Sequence, residues 1–149
     1  MNPTASNITP GDVRIARVRN HLEDPASVGK DRPVVVVELT QRGVLVVGLT
    51  TQPLYKTTGQ PRIGVPDWCA VGLRGPGFLW GSRLTMIDSP DLYKKVGRAD
   101  LSLVRCIEKN VYLTTRQKQA LLLNTTGPIP WSLDKQNSLD PRTHNDASE

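Results

Sequence analysis

No stretch of this 149-residue chain approaches the roughly 18 consecutive apolar residues that read as a membrane-spanning helix. The opening Met1-Asn2-Pro3-Thr4-Ala5-Ser6 has neither the basic nor the apolar segment of a secretory signal. Both absences point to a cytoplasmic protein with no membrane partner. Cysteine is scarce: Cys69 and Cys106 lie far apart without the paired spacing of a zinc site or a disulfide framework, so they are expected as buried thiols. A Gly-rich phosphate loop, a Cys/His cluster and a nucleophile elbow are all missing, and no metal site is expected. With only His21 and His144, a Ser-His-Asp or Cys-His mechanism would rest on a single histidine, since His144 falls in the polar C-terminal segment.

What the chain does have is positive charge, and it is unevenly placed. The formal net charge is +5, yet residues 127–149 set Lys135 and Arg142 against Asp134, Asp140, Asp146 and Glu149, leaving the rest at +7. Such an excess attracts polyanions, of which nucleic acid is the commonest inside cells. A merely soluble basic protein is the alternative. A hydrophobic content of 38% suffices for one modest core rather than two, so residues 1–126 are expected as one domain. The remainder, 127–149, is polar and punctuated by prolines, the pattern of a disordered tail.

Along the chain, Gly11–Val18 alternates at period two and predicts a half-buried strand. A polar loop through Asp31 follows. Pro33 then opens Val34-Val35-Val36-Val37-Glu38-Leu39, whose lack of alternation predicts burial on both faces. Gln41-Arg42-Gly43 is a tight turn, and Val44–Leu49 returns as the partner strand of a central hairpin. Residues 53–76, rich in Pro, Gly, Lys and Arg, allow only short strands near Arg62–Val65 and Cys69–Leu73. Gly77–Trp80 and Ser82–Ile87 are extended. Asp88-Ser89-Pro90 predicts a side-chain cap and a short helix or turn through Tyr93. A helix from Asp100 to about Val111 has an apolar stripe of Leu101, Val104 and Ile107 or Cys106. Thr114 and Gln117 fit a capping box for a last helix ending at Leu123. Many short strands with helices at the end give a mainly β (α+β) class, a small β-barrel with C-terminal helices.

Hairpin spacing brings Arg32 and Thr50 together at the end opposite the turn. An arginine can clamp a phosphate through two parallel hydrogen bonds, and a nearby hydroxyl can donate to the same oxygens. The competing reading pairs Arg32 with Asp31 or Glu38 and lets Thr50 cap a turn.

Gly11-Asp12-Val13, Asp31-Arg32-Pro33-Val34-Val35-Val36-Val37, Val46-Val47-Gly48-Leu49-Thr50-Thr51, Leu84-Thr85-Met86-Ile87-Asp88 and Val96-Gly97 before a helix, in this order, resemble the MazF/PemK toxin family across roughly residues 10–112. The resemblance implies an SH3-like barrel that forms a homodimer, cuts single-stranded RNA without metal or cofactor, and is neutralised by a cognate antitoxin. The family's catalytic arginine before proline falls on Arg32 and its strand-end threonine on Thr50. Around them His21, Arg74, Arg83 and Trp80 are candidate substrate-binding residues, and Trp68 is a second aromatic that could stack on a base or sit in the core. The chain departs from some family members at Trp80-Gly81-Ser82-Arg83, where no carboxylate stands, so no aspartate acid/base role transfers and the general base is not identified. A non-catalytic nucleic-acid-binding barrel, a gyrase-poisoning relative and an inactive homologue remain alternatives. The tryptophan on which the gyrase-directed relatives depend ends their last helix, whereas Trp131 lies beyond the helices here.

Overall fold

A computed structural model of the chain describes residues 8–18 and 29–123. His21, Trp131 and the expected tail from 127 lie outside the described residues, as does the 126/127 boundary. The strands are β1 (Asp12–Val18), β2 (Lys30–Thr40), β3 (Gly43–Thr50), β4 (Phe78–Leu79), β5 (Thr85–Ile87) and β6 (Leu92–Arg98). Two helices follow, α1 (Leu101–Asn110) and α2 (Thr115–Leu123). All pairings are antiparallel in the order β4-β3-β2-β1-β6, with β5 also on β3. The class is mainly β, α+β, as the periodicities predict.

The valine run decides the layering. Val34, Val35, Val36 and Val37 are all fully buried, each worth about 1.5–3 kcal/mol of transfer free energy. Alternate side chains leave opposite faces of a strand, so both faces of β2 need a cover. Val35 and Val37 join the larger core with Val13, Val47, Leu49 and the helix residues Leu103, Val104, Ile107 and Leu121. Val34 and Val36 join a smaller one with Ala16, Val44, Val46, Ile87 and Leu92. That second core is the inside of a curled sheet. β5 and β6 lie on opposite ends of the ladder order, yet only Asp88 and one 3-10 turn, Ser89–Asp91, separate them. β1 accordingly comes against β5 although β2 and β3 stand between them in the ladder.

The helix starts follow their capping residues. Asp100 Oδ1 accepts from the Leu103 amide at 2.9 Å. The Thr114/Gln117 box forms in both directions, at 3.2 and 3.0 Å. Other expectations need correction. Asp88 makes no side-chain cap, and the residues after the 3-10 turn form β6 rather than more turn. Leu92-Tyr93-Lys94-Lys95-Val96-Gly97-Arg98 hides its strand character behind three cations, the dressing of a sheet edge that must not pair with another chain. Cys69–Leu73 is a series of turns, closed by Gly72 N to Cys69 O (3.1 Å) and Leu73 N to Trp68 O (3.0 Å). Arg62–Val65 contributes only an isolated bridge, Gly64 to Phe78. Cys69 is exposed and Cys106 half-buried, where burial pushes the Cys106 thiol above its ordinary range.

Two features tie β6 into place. Asp12, 1% exposed, holds three cations: Arg14 Nε at 3.2 Å, Arg98 Nη1 at 3.3 Å and Lys95 Nζ at 3.4 Å. Arg14 also donates to the Tyr93 carbonyl at 3.0 Å. Removing Asp12 would take the carboxylate from the buried Arg14 and cost about 3–5 kcal/mol. Between Lys95 and Arg98, on the same stretch of β6, Val71-Gly72 crosses Val96-Gly97 backbone to backbone. A Cβ on Gly97 would stand 1.9 Å from the Val71 carbonyl oxygen. Gly97→Ala should therefore destabilise by about 3 kcal/mol, the upper end for overpacking. Gly75→Ala, with nothing within 4 Å of the new Cβ, should stay within about 0.5 kcal/mol of the parent. Urea midpoints at unchanged slope measure both, and equal midpoints for the two variants contradict the crossing.

Candidate functional site

Continuing the Val34–Gly48 register by two residues sets Arg32 opposite Thr50. Both lie on the face of the smaller core, just past Val34. There Arg32 Nη1 donates to Thr50 Oγ1 at 3.3 Å. The guanidinium carbon stands 3.7 Å from the centre of the Trp80 ring, inside the range where a cation is attracted to an aromatic face by about 0.5–2 kcal/mol. Trp80 reaches this position from the other side of β3, its amide donating to the Gly48 carbonyl at 2.8 Å. Gly48 makes room for it, since a Cβ there would meet the Trp80 Cβ at 3.3 Å.

Arg62 completes the group, and sequence reasoning missed it. Residues 53–62 fold back on themselves through the Leu54–Pro61 bridge and the Tyr55 to Gln60 hydrogen bond. That excursion delivers Arg62 Nη1 to the Trp80 carbonyl. The Arg62 guanidinium lies 4.5 Å from the Tyr55 ring centre. Nothing in the local spacing marks Arg62, which stands between Pro61 and Ile63 in a segment without periodicity.

Hydrogen-bond capacity in this cluster is lopsided. Thr50 Oγ1 accepts from both Arg32 Nη1 and the Gln52 amide (3.1 Å). Its two lone pairs are thus engaged and its own O–H is left to donate. Arg32 Nε is buried and has no acceptor among the described residues. The expected carboxylate partners of Arg32 are engaged elsewhere: Asp31 with Arg17 at 3.3 Å, Glu38 with Arg116 at 3.3 Å. The turn-capping half of the competing reading does hold, since Thr50 receives the Gln52 amide, and it coexists with the Arg32 contact. Burial first, and the neighbouring Arg62 second, hold the Arg32 guanidinium below the ordinary arginine value. Because arginine starts so high, it remains a cation near neutrality.

The other candidates fall elsewhere. Trp68 packs against the larger core. Arg74 is exposed on the loop that Gly72 pins to β6. Arg83 lines a groove that shares no residue with the Arg32 cluster. His21 lies outside the described residues. Among the described residues, no three His, Cys, Asp or Glu side chains gather as a metal-binding group, and no helix is long and apolar enough to cross a membrane.

No protein-family model matches the chain, and no curated protein does. Among solved structures, it is similar to one titled "Mycobacterium tuberculosis toxin MazF-mt6", at 23% identity and a TM-score of 0.39, over 74% of this chain and 87% of that one.

A cation desolvated beside another cation, with an unmet donor, is a poor contributor to folding. Arg32→Met, which keeps the aliphatic stem against Trp80, should leave the melting temperature unchanged or raise it. A fall of more than about 4 °C, roughly 1 kcal/mol, would mean that Arg32 is kept for the fold.

Proposed function

We propose that this chain is a metal-independent endoribonuclease toxin that cuts single-stranded RNA, acts as a homodimer and is restrained by a cognate antitoxin. The observation behind this reading is that Arg32 and Thr50 have only donors left to offer. An anion with several acceptor oxygens is the complementary ligand, and the order of sequence pieces that resembles the MazF/PemK family makes that anion an RNA phosphate.

RNA brings its own nucleophile, the 2′-hydroxyl, so neither a bound metal nor a cofactor is required to generate one. The 2′-oxygen attacks phosphorus as the P–O5′ bond breaks, leaving a 2′,3′-cyclic phosphate and a 5′-hydroxyl. Negative charge grows on the non-bridging oxygens along the way. Arg32 would meet it through Nε and a terminal nitrogen, Thr50 through its O–H, and Arg62 as a second cation. Under the Trp80 ring these donors are partly shielded from water, which strengthens each of them. The proton of the 2′-hydroxyl leaves to a group outside this cluster, which contains neither imidazole nor carboxylate, and the departing 5′-oxygen takes a proton from Arg32, which regains one from solvent.

Purified protein in excess EDTA should cut RNA to fragments ending in cyclic or 3′-phosphate. Arg32→Ala should slow cleavage by about 10²–10³-fold, and Arg32→Lys should not restore it, because an ammonium lacks the planar pair of donors. Thr50→Val should cost about tenfold or more, the worth of one hydrogen bond to a charged group, whereas Thr50→Ser keeps most of the rate. Cleavage that EDTA abolishes, or an Arg32→Ala variant as active as the parent, sinks the proposal. Growth arrest with intact RNA and trapped gyrase–DNA complexes would favour the gyrase-directed alternative.

A further inference from the structure

An open groove of about 720 Å³ lies between the β4–β5 connection and the corner where α1 passes into α2. Ser82, Arg83 and Leu84 form one wall; Lys109, Asn110 and Tyr112 belong to the other. Tyr112 is the most exposed large apolar side chain among the described residues, at 78%. A ring left this open gives nothing to the core. Its backbone is nonetheless firmly placed, because its amide donates to the Ser82 carbonyl at 2.9 Å and its neighbours Val111 and Leu113 are buried. Arg83 and Lys109 are both exposed and outweigh Glu108, the acidic member of the lining.

An exposed ring on an anchored backbone, lining one groove with two cations, is an arrangement that suits single-stranded nucleic acid: bases stack on the aromatic and the backbone follows the positive charge. The groove also begins where the Arg32 cluster ends. Ser82 is two residues from Trp80, so at most about 7 Å of chain separates the ring over Arg32 from the near wall of the groove.

We propose that this groove is an accessory nucleotide subsite for the same RNA strand, with Tyr112 stacking an unpaired base and Arg83 and Lys109 bracketing its phosphate. The inference rests on the RNA-cleaving reading of the Arg32 cluster. It makes a specific claim about length: a strand must extend beyond the nucleotides at Arg32 before Tyr112 can touch it.

All-deoxy oligonucleotides lack the 2′-hydroxyl and cannot be cut by the proposed route, so they report binding alone. Their affinities, from dinucleotide to octanucleotide, can be measured by fluorescence anisotropy on the full chain and on Tyr112→Ala and Arg83→Ala. The longest oligonucleotides should bind about tenfold more weakly to Tyr112→Ala, the worth of one stacked base, while the dinucleotide binds all three proteins alike. Equal affinities at every length, the result expected if the groove takes a protein segment instead, overturn the subsite. In that case RNA cleavage that still depends on Arg32 shows that only the subsite has failed. Loss of Arg32-dependent cleavage with the length effect intact would instead sink the catalytic reading.

Discussion

Val34, Val35, Val36 and Val37 must leave water on both sides of β2, and the rest of the architecture answers to that demand. The helices cover one face, where Val35 lies between Val13 and Val47 in a row across three strands. The other face is covered by the sheet itself, curled so that Ile87 and Leu92, at its two ends, meet over Val34 and Val36. Arg32 sits on this inner face one step before the valines begin. Its position at the mouth of the smaller core is therefore a consequence of how β2 is buried. A one-residue slip of the strand would turn Arg32 to the opposite face and exchange the valines between the two cores.

The aromatic ring over Arg32 answers a problem of competition. A carboxylate would steady the guanidinium, but it would also occupy the donors and cancel the charge that the proposed phosphate would meet. The face of Trp80 attracts the cation without neutralising it. Tyr55 stands in the same relation to Arg62. Two guanidiniums are thereby held close enough for each to feel the other, a state that an anion relieves. On the proposed reading, function and stability pull in opposite directions at this place, as is common where a site is built in advance of its ligand.

The parts of this arrangement that were legible in the sequence are those set by short-range rules. Uninterrupted β-branched residues announced the doubly buried strand, Gln41-Arg42-Gly43 the turn, and Thr114 with Gln117 the capping box. Arg32 and Thr50 could be paired because a hairpin is a ruler: once the turn is known, so is what lies opposite. The long segment between β3 and β4 has no such ruler. Arg62 and Tyr55 reach the site through an irregular excursion, and Cys69, expected to be buried, ends exposed on a turn. β6 was missed because an edge strand disguises itself with lysines. The buried roles of Asp12 and Arg14 were hidden too, since polar residues in an alternating strand are assigned to solvent by default.

The Asp12 cluster also sets an order on how the molecule comes into being. Arg98 and Asp12 are 86 residues apart, near the two ends of the described barrel. β2 and β3 can pair as a hairpin as soon as both have been synthesised, but β1 keeps an open edge until β6 emerges. A ribosome adds about 5–20 residues each second, so the charge on Asp12 stays hydrated for several seconds while most of the chain is being made. Closure is thereby a late, long-range event, the kind that slows folding. The hydrated carboxylate keeps the waiting edge soluble in the meantime.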